Sequence, residues 1–125
     1  MKENYLQQQC IDYLSKLALT NNIYFFAPLN ETAMTILRIF KVENDKAAKI
    51  IMFLKKMGLI PGTPDLIVFY NGTSIFIELK RPGKKASKNQ LRIHEKINAS
   101  GHKVVIIDNF LDFQQTLKYC GIENE

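Results

Sequence analysis

The chain has 125 residues, of which 46% are hydrophobic and 23% charged, and its formal net charge at pH 7 is +5. A domain of this size buries roughly two thirds of the surface that its unfolded chain exposes, so it needs no metal or disulfide to fold. We therefore expect a single domain over residues 1–125. The apolar runs are far shorter than the roughly 20 residues that cross a bilayer, and the polar start lacks an apolar signal core. These features exclude a membrane protein and predict a cytoplasmic one.

The cysteines and the excess of cations bear on the class of protein. Cys10 and Cys120 lie in predicted amphipathic helices without a metal-binding spacing, which favours reduced core thiols over zinc ligands, with a disulfide as the alternative. The segment from Glu78 to Lys103 holds eight cations and two acids. Such a concentration is typical of a surface that contacts a phosphate backbone, although a solvated lysine-rich face has the same composition.

The first quarter of the chain predicts a helix followed by a short strand. Apolar residues recur at helical spacing over 3–19, which indicates an amphipathic helix. The β-branched and aromatic stretch 23–27 predicts a strand that ends at Pro28, because proline cannot donate to a sheet ladder. Asn30 then falls in a loop.

Residues 31–57 are predicted to form a helical insertion. The pattern indicates a short helix over 32–40 and a longer one over 45–57, which Gly58 ends in a left-handed conformation. Asn44 or Asp45 is expected to cap the longer helix. The residues of this helix that are predicted to face inward are Ala48, Ile51, Phe53 and Leu54.

Two strands over 65–70 and 73–80 flank Asn71 and Gly72. This dipeptide is a strong hairpin signal, because a type I′ turn needs φ > 0 at both central positions. A two-residue loop makes Tyr70 face Thr73 and places Asp65 opposite Glu78. A three-residue loop would instead place Asp65 opposite Leu79.

The last part of the chain predicts a helix, a strand and a second helix. Ser87 and Gln90 have the spacing of a capping box, and Gly101 ends the helix that they begin. The apolar run 104–107 is typical of a buried strand, and Asn109 is expected to cap the last helix. The whole order of elements indicates an α/β fold with a mixed central sheet flanked by helices.

The predicted hairpin brings two carboxylates together. At a separation of ~5 Å and an effective dielectric constant of ~20, Asp65 and Glu78 would repel each other by about 3 kcal/mol. Lys80 lies on the same face of its strand as Glu78, because side chains alternate. Two hard oxygen ligands beside an ammonium group suit a Mg²⁺-assisted attack on a phosphodiester. The alternative is an ordinary salt-bridged edge, in which Glu78 pairs with Lys80 and Asp65 caps the strand.

These residues carry a resemblance to a known family. The segments Gly62–Asp65 and Glu78–Lys80, followed by Gln90 on a helix, resemble the PD-(D/E)xK nuclease superfamily, and within it the virus-type replication-repair nuclease (VRR-NUC) family. The match covers most of the chain outside the insertion. Further residues in positions similar to those of the family are Glu3, Gln7, Asn30 and Gly101.

The resemblance implies a fold and a set of site residues. The fold is restriction-endonuclease-like, with core order αβββαβ. Asp65, Glu78 and the Leu79 backbone carbonyl would hold Mg²⁺, for which Mn²⁺ would substitute. The other catalytic residues implied are Lys80, Gln90 and Glu3. From the residues alone, Gln90 is also the last residue of a capping box, and one residue can serve both roles. Glu3 is equally an acid that favours a helix start.

The implied activity is that of a metal-dependent DNA endonuclease. The expected substrate is branched DNA, such as a Holliday junction or a flap, and the expected assembly is a homodimer that serves DNA repair, encoded by a phage and active in its host cell. Alternatives are a non-catalytic nucleic-acid-binding module, an RNA-directed nuclease and a basic interaction protein without a metal site. His94 and His102 have no second ligand at a suitable spacing and are not predicted to be catalytic. The predicted DNA-binding residues are Arg81, Lys84, Lys85, Lys88 and Arg92, together with Lys46, Lys49, Lys55 and Lys56 of the insertion, which we expect to contact a second duplex arm.

Overall fold

The computed structural model describes residues 2–29 and 31–122, and the side chains of all of these except Lys2, Glu3 and Glu31. Four strands and five helices are described within these ranges. In chain order they are α1 (Lys2–Leu17), β1 (Ile23–Phe26), α2 (Glu31–Ile39), α3 (Asn44–Lys56), β2 (Leu66–Tyr70), β3 (Thr73–Leu79), α4 (Lys88–Ala99), β4 (Lys103–Ile107) and α5 (Phe110–Tyr119).

The strands form one mixed sheet in the order β1-β2-β3-β4. The pairs β1–β2 and β2–β3 are antiparallel, and β4 is parallel to β3 because α4 crosses over between them. The α/β fold with a mixed sheet and flanking helices is therefore confirmed. Within the described ranges, no helix has both the length and the apolar character needed to cross a membrane.

The hydrophobic core lies between one face of the sheet and the helices α1 and α5. From the sheet it takes the alternating residues Ile75, Ile77 and Leu79 of β3. Alternation sends Glu78 to the opposite face, where α4 contacts it. The helices contribute Leu6, Cys10, Leu14, Phe113 and Leu117.

The hairpin between β2 and β3 has the register that the two-residue loop predicts. Tyr70 pairs with Thr73 and Leu66 pairs with Ile77. Asn71 and Gly72 have φ values of 51° and 77°, as a type I′ turn requires. The register that a three-residue loop would produce is therefore excluded.

Two predictions about burial were wrong because each depends on tertiary position. The run 104–107 belongs to an edge strand, and Ile106 is exposed. Cys120 is also exposed, while Cys10 is buried, and neither forms a disulfide. The apolar character of each segment predicted both positions as core. Which strand lies at the edge of the sheet, and which helix face is covered, depends on the arrangement of the whole fold.

The two helices of the predicted insertion are present, but α3 packs less tightly than its pattern indicates. None of its residues is buried, and Ala48 and Phe53 are exposed. Its N-cap is Glu43, without a side-chain cap, rather than Asn44 or Asp45. Gly58, with φ of 112°, follows its end as predicted. The apolar spacing thus identified the helix without identifying a buried partner for it.

Candidate active site

The loop that precedes Asp65 is held tightly against α4. Gly62 has φ of 92°, and a Cβ atom on it would lie 2.8 Å from Asn89 Nδ2 and 3.2 Å from the Asn89 backbone oxygen. Asn89 Nδ2 donates to the Pro61 carbonyl over 3.0 Å. Glycine is therefore required at this position, both for its backbone conformation and for the close approach of the helix.

Asp65 directly precedes the first residue of β2. Because Leu66 pairs with Ile77, the next position outward sets Asp65 opposite Glu78. The Asp65 Oδ2 atom accepts a hydrogen bond from the Leu79 backbone N–H over 2.7 Å. This bond ties the Asp65 carboxylate to the segment that carries Glu78 and Lys80, at one end of the sheet.

Asp65 and Leu79 open onto a cleft of about 420 Å³. Its other walls come from α1 and α2, so the opening helix and the first helix of the predicted insertion both face the candidate site. From these two helices the cleft is lined by Asn4, Gln7, Gln8, Ile11, Asp12, Thr32 and Thr35.

Glu78 is the buried member of the carboxylate pair, only 2% exposed. Its Oε1 lies 3.1 Å from His94 Nε2, and its Oε2 accepts from Gln90 Nε2 over 3.4 Å. Since a carboxylate only accepts, the His94 Nε2 atom is the protonated one. Burial lowers the pKa of His94, and the Lys80 ammonium lowers it further against a smaller opposing effect of Asp65. A neutral imidazole therefore donates to Glu78 at neutral pH.

Gln90 serves both as a helix cap and as a partner of the site. Its Oε1 accepts from the Ser87 N–H over 2.8 Å, while its own N–H donates to Ser87 Oγ over 3.1 Å. The capping box is thus complete. The side-chain nitrogen Nε2 of Gln90 is left to donate to Glu78. Gln90 can therefore be both a helix cap and a residue of the site.

Lys80 is buried at the end of β3, with 6% of its surface exposed. Its backbone N–H donates to the Ile107 carbonyl over 2.8 Å, and this bond continues the pairing of β3 with β4. An ammonium with so little water around it must be balanced by nearby negative charge. Asp65 and Glu78 are the acids that the hairpin supplies at this end of the sheet.

The remaining predicted site residues are distributed differently. The side chain of Glu3 and the whole of Asn30 lie outside the described residues. The predicted DNA-binding cations of the loop, of α4 and of α3 are all exposed. Of these, Arg92 donates to Asn89 Oδ1 over 2.6 Å, which sets it beside the loop that carries Asp65.

Sequence reasoning missed His94 and the contribution of α2 to the cleft. One signal could have indicated His94, because it lies four residues after Gln90 and so shares its helix face. No comparable local signal exists for Thr32 and Thr35, since their place at the cleft depends on where α2 lies in the folded chain.

The sheet order, the flanking helices and the acids Asp65 and Glu78 define an α/β domain with a polar site at one end of its sheet. The family model described as the VRR-NUC domain matches residues 1–109, and the chain therefore belongs to the VRR-NUC domain family. The resemblance found from the sequence is confirmed.

The proteins that are similar to this chain include a phage protein and a solved structure. One is the protein named "Putative nuclease p44" of Acyrthosiphon pisum secondary endosymbiont phage 1, which is 45% identical over 49 residues, or 38% of this chain and 53% of that protein. The match thus spans about half the length of this curated relative. The other is a solved structure described as a "VRR_NUC domain protein", with a TM-score of 0.50 at 22% identity over 58% of this chain and 64% of that chain. Its likeness shows the fold.

Proposed function

We propose that this protein is a metal-dependent endonuclease that hydrolyses phosphodiester bonds in DNA. The observation that carries the proposal is the hydrogen bond from the Leu79 N–H to Asp65, which holds that carboxylate against the segment that carries the buried Glu78 and Lys80. Membership of the VRR-NUC family and the similarity to a phage protein named as a nuclease support it.

The donor atoms at this site suit a hard divalent cation. Asp65 and Glu78 supply carboxylate oxygens, and the Leu79 carbonyl, beside Asp65 at the cleft, would supply a third oxygen. Among the described residues, no group of three or more His, Cys, Asp or Glu side chains forms a complete metal site. That is compatible with Mg²⁺, which keeps several waters and takes one or two carboxylates. Mn²⁺ would bind the same oxygens.

Each residue has a distinct role in the proposed reaction. When bound, the cation would offset the charge of both carboxylates and lower the pKa of a coordinated water. Lys80 would orient the attacking water and stabilise the charge that develops on the phosphate. Gln90 and His94 hold the Glu78 carboxylate in place. Glu3, on the first turn of α1, would approach the same site.

The assembly and setting are part of the proposal. Symmetric cutting of two strands needs two sites, which a homodimer provides, and branched DNA would present two duplex arms to it. The exposed cations of α3, namely Lys46, Lys49, Lys55 and Lys56, support contact with a second arm. The protein would act inside the cell, where a phage-encoded nuclease meets its DNA substrate.

Cleavage assays test the proposal directly. Purified protein would be incubated with linear, single-stranded, flapped and four-way DNA and with matched RNA, with Mn²⁺ or with EDTA. We expect Mn²⁺-dependent cleavage that is strongest on branched DNA. Lys80→Ala should slow it by roughly 100-fold or more, the size of effect typical for loss of an acid, base or charge stabiliser.

An exposed lysine provides the control for this assay. Lys118→Ala, on α5, should cleave like wild type, because α5 contributes no residue to the cleft. Thermal unfolding would verify that both variants fold. The proposal would be contradicted if wild-type protein left every substrate intact in Mn²⁺. If it cleaved RNA in preference to DNA, RNA would be the substrate instead.

A further inference from the structure

The described residues that line the cleft beside Asp65 supply no positive charge. Among the described residues that line it, Asp12 and Asp65 are acids and none is a cation. A nucleic-acid substrate carries a negative charge on every phosphate. Beyond any bound cation, the phosphates next to the scissile one therefore need a positive partner at the rim of the cleft.

Helix α2 places one arginine at that rim. Thr35 lines the cleft, and its Oγ1 accepts a hydrogen bond from Arg38 Nη2 over 3.2 Å. This contact between successive turns of α2 holds the guanidinium beside the cleft. Arg38 is exposed, so the other N–H groups of its planar fork can reach a ligand.

We propose that Arg38 binds a phosphate of the nucleic-acid substrate adjacent to the scissile phosphate, and that Thr35 positions it. This inference rests on the proposed nuclease function and extends it, because it assigns the first helix of the predicted insertion to one wall of the substrate cleft. Guanidinium and phosphate form paired charge-assisted hydrogen bonds, and the anchor on Thr35 reduces the freedom that Arg38 loses on binding.

Binding without cleavage tests this assignment separately from catalysis. Fluorescence anisotropy with a labelled four-way DNA in EDTA would give the dissociation constant over a range of salt concentrations. Arg38→Ala should weaken binding about fivefold and reduce the slope of log K against log salt by about one, as expected for the loss of one phosphate contact. Lys118→Ala should leave both quantities unchanged.

Two further variants separate charge from position. Arg38→Lys keeps the charge, so its salt slope should match wild type while its affinity falls. Thr35→Val keeps the shape of Thr35 but removes the acceptor, and it should weaken binding with no change in slope. Because Arg38 is exposed, we expect the thermal unfolding midpoint of Arg38→Ala to stay close to that of wild type.

The outcomes distinguish the two proposals. If wild type cleaves DNA while Arg38→Ala binds with the wild-type affinity and slope, the assignment of Arg38 is overturned and the nuclease function stands. If Arg38→Ala and Lys118→Ala weaken binding equally, the effect is one of net charge and the assignment is again overturned. If wild type neither binds nor cleaves any nucleic acid, the proposed function fails and the inference with it.

Discussion

Glu78 is a carboxylate that the fold keeps away from water. Both of its oxygens have hydrogen-bond partners on α4, the amide of Gln90 and the imidazole of His94. A buried charge without such partners would be strongly destabilised. If Glu78 binds a metal as proposed, the residues that hold its carboxylate would set its orientation toward that metal, and His94 would support the site although it does not line the cleft.

Substitution of His94 tests this supporting role. His94→Ala should raise the Mn²⁺ concentration for half-maximal cleavage by roughly 10- to 100-fold, the usual effect of losing a partner of a metal ligand. His94→Gln, whose amide can still donate to Glu78, should recover part of the loss. A Mn²⁺ titration of cleavage measures both variants, and circular dichroism verifies their fold. An unchanged Mn²⁺ dependence in His94→Ala would contradict the role.

The two cysteines should differ sharply in reactivity. Burial raises the pKa of Cys10 to about 12, so at pH 8 its thiol stays protonated, and the thiolate is the reactive form. Cys120 is exposed. We expect Ellman's reagent at pH 8 to modify one thiol rapidly in the native protein and both in guanidinium chloride. Cys120→Ser should remove the rapid reaction, and rapid modification of both thiols in native protein would contradict the burial of Cys10.

At the scale of elements, the contact between the Gly62 loop and α4 connects the two halves of the site. Gly62→Ala combines a strained positive φ with the close approach of Asn89. Gly83 has a similar φ of 84° but no neighbouring atom within 4 Å of an added Cβ, which makes Gly83→Ala a matched control for the backbone strain alone.

We therefore expect Gly62→Ala to lower the free energy of unfolding more than Gly83→Ala does. Strain at positive φ costs on the order of 1 kcal/mol in each variant, and the contact with Asn89 should add roughly 1–2 kcal/mol at Gly62. Urea titrations followed by circular dichroism measure the difference. If both variants lost the same free energy of unfolding, α4 would be able to move away from the added Cβ at no measurable cost.

Local chemistry explains which elements were predictable. The register of the hairpin follows from Asn71 and Gly72, because a two-residue turn fixes every pair beyond it. The capping box of α4 likewise depends on residues three positions apart. The exposure of Ile106 and Phe53 could not be predicted, since apolar periodicity indicates an element but not whether another element covers it. For His94, the spacing from Gln90 gives the helix face it shares, but its contact with Glu78 depends on how α4 lies against β3.

At the scale of the whole molecule, several exposed apolar side chains lie on or next to α2 and α3. Ile39, Phe40, Met52 and Phe53 are each at least 60% exposed. Contiguous exposed apolar surface on a domain usually marks an interaction site. We expect the proposed second copy of the chain to cover this apolar surface. An interface of standard size buries about 800 Å² of accessible surface on each partner.

Sedimentation velocity without DNA tests this face of the molecule. Wild type should sediment as a dimer at micromolar concentration, and the double variant Met52→Glu, Phe53→Glu should sediment as a monomer, because paired carboxylates cannot be buried in an apolar interface without a large desolvation cost. Leu111→Glu provides the control, since Leu111 is 62% exposed on α5, away from the insertion. The control should remain dimeric. A wild type that stays monomeric, or a double variant that still dimerises, would show that α2 and α3 are not the dimer interface.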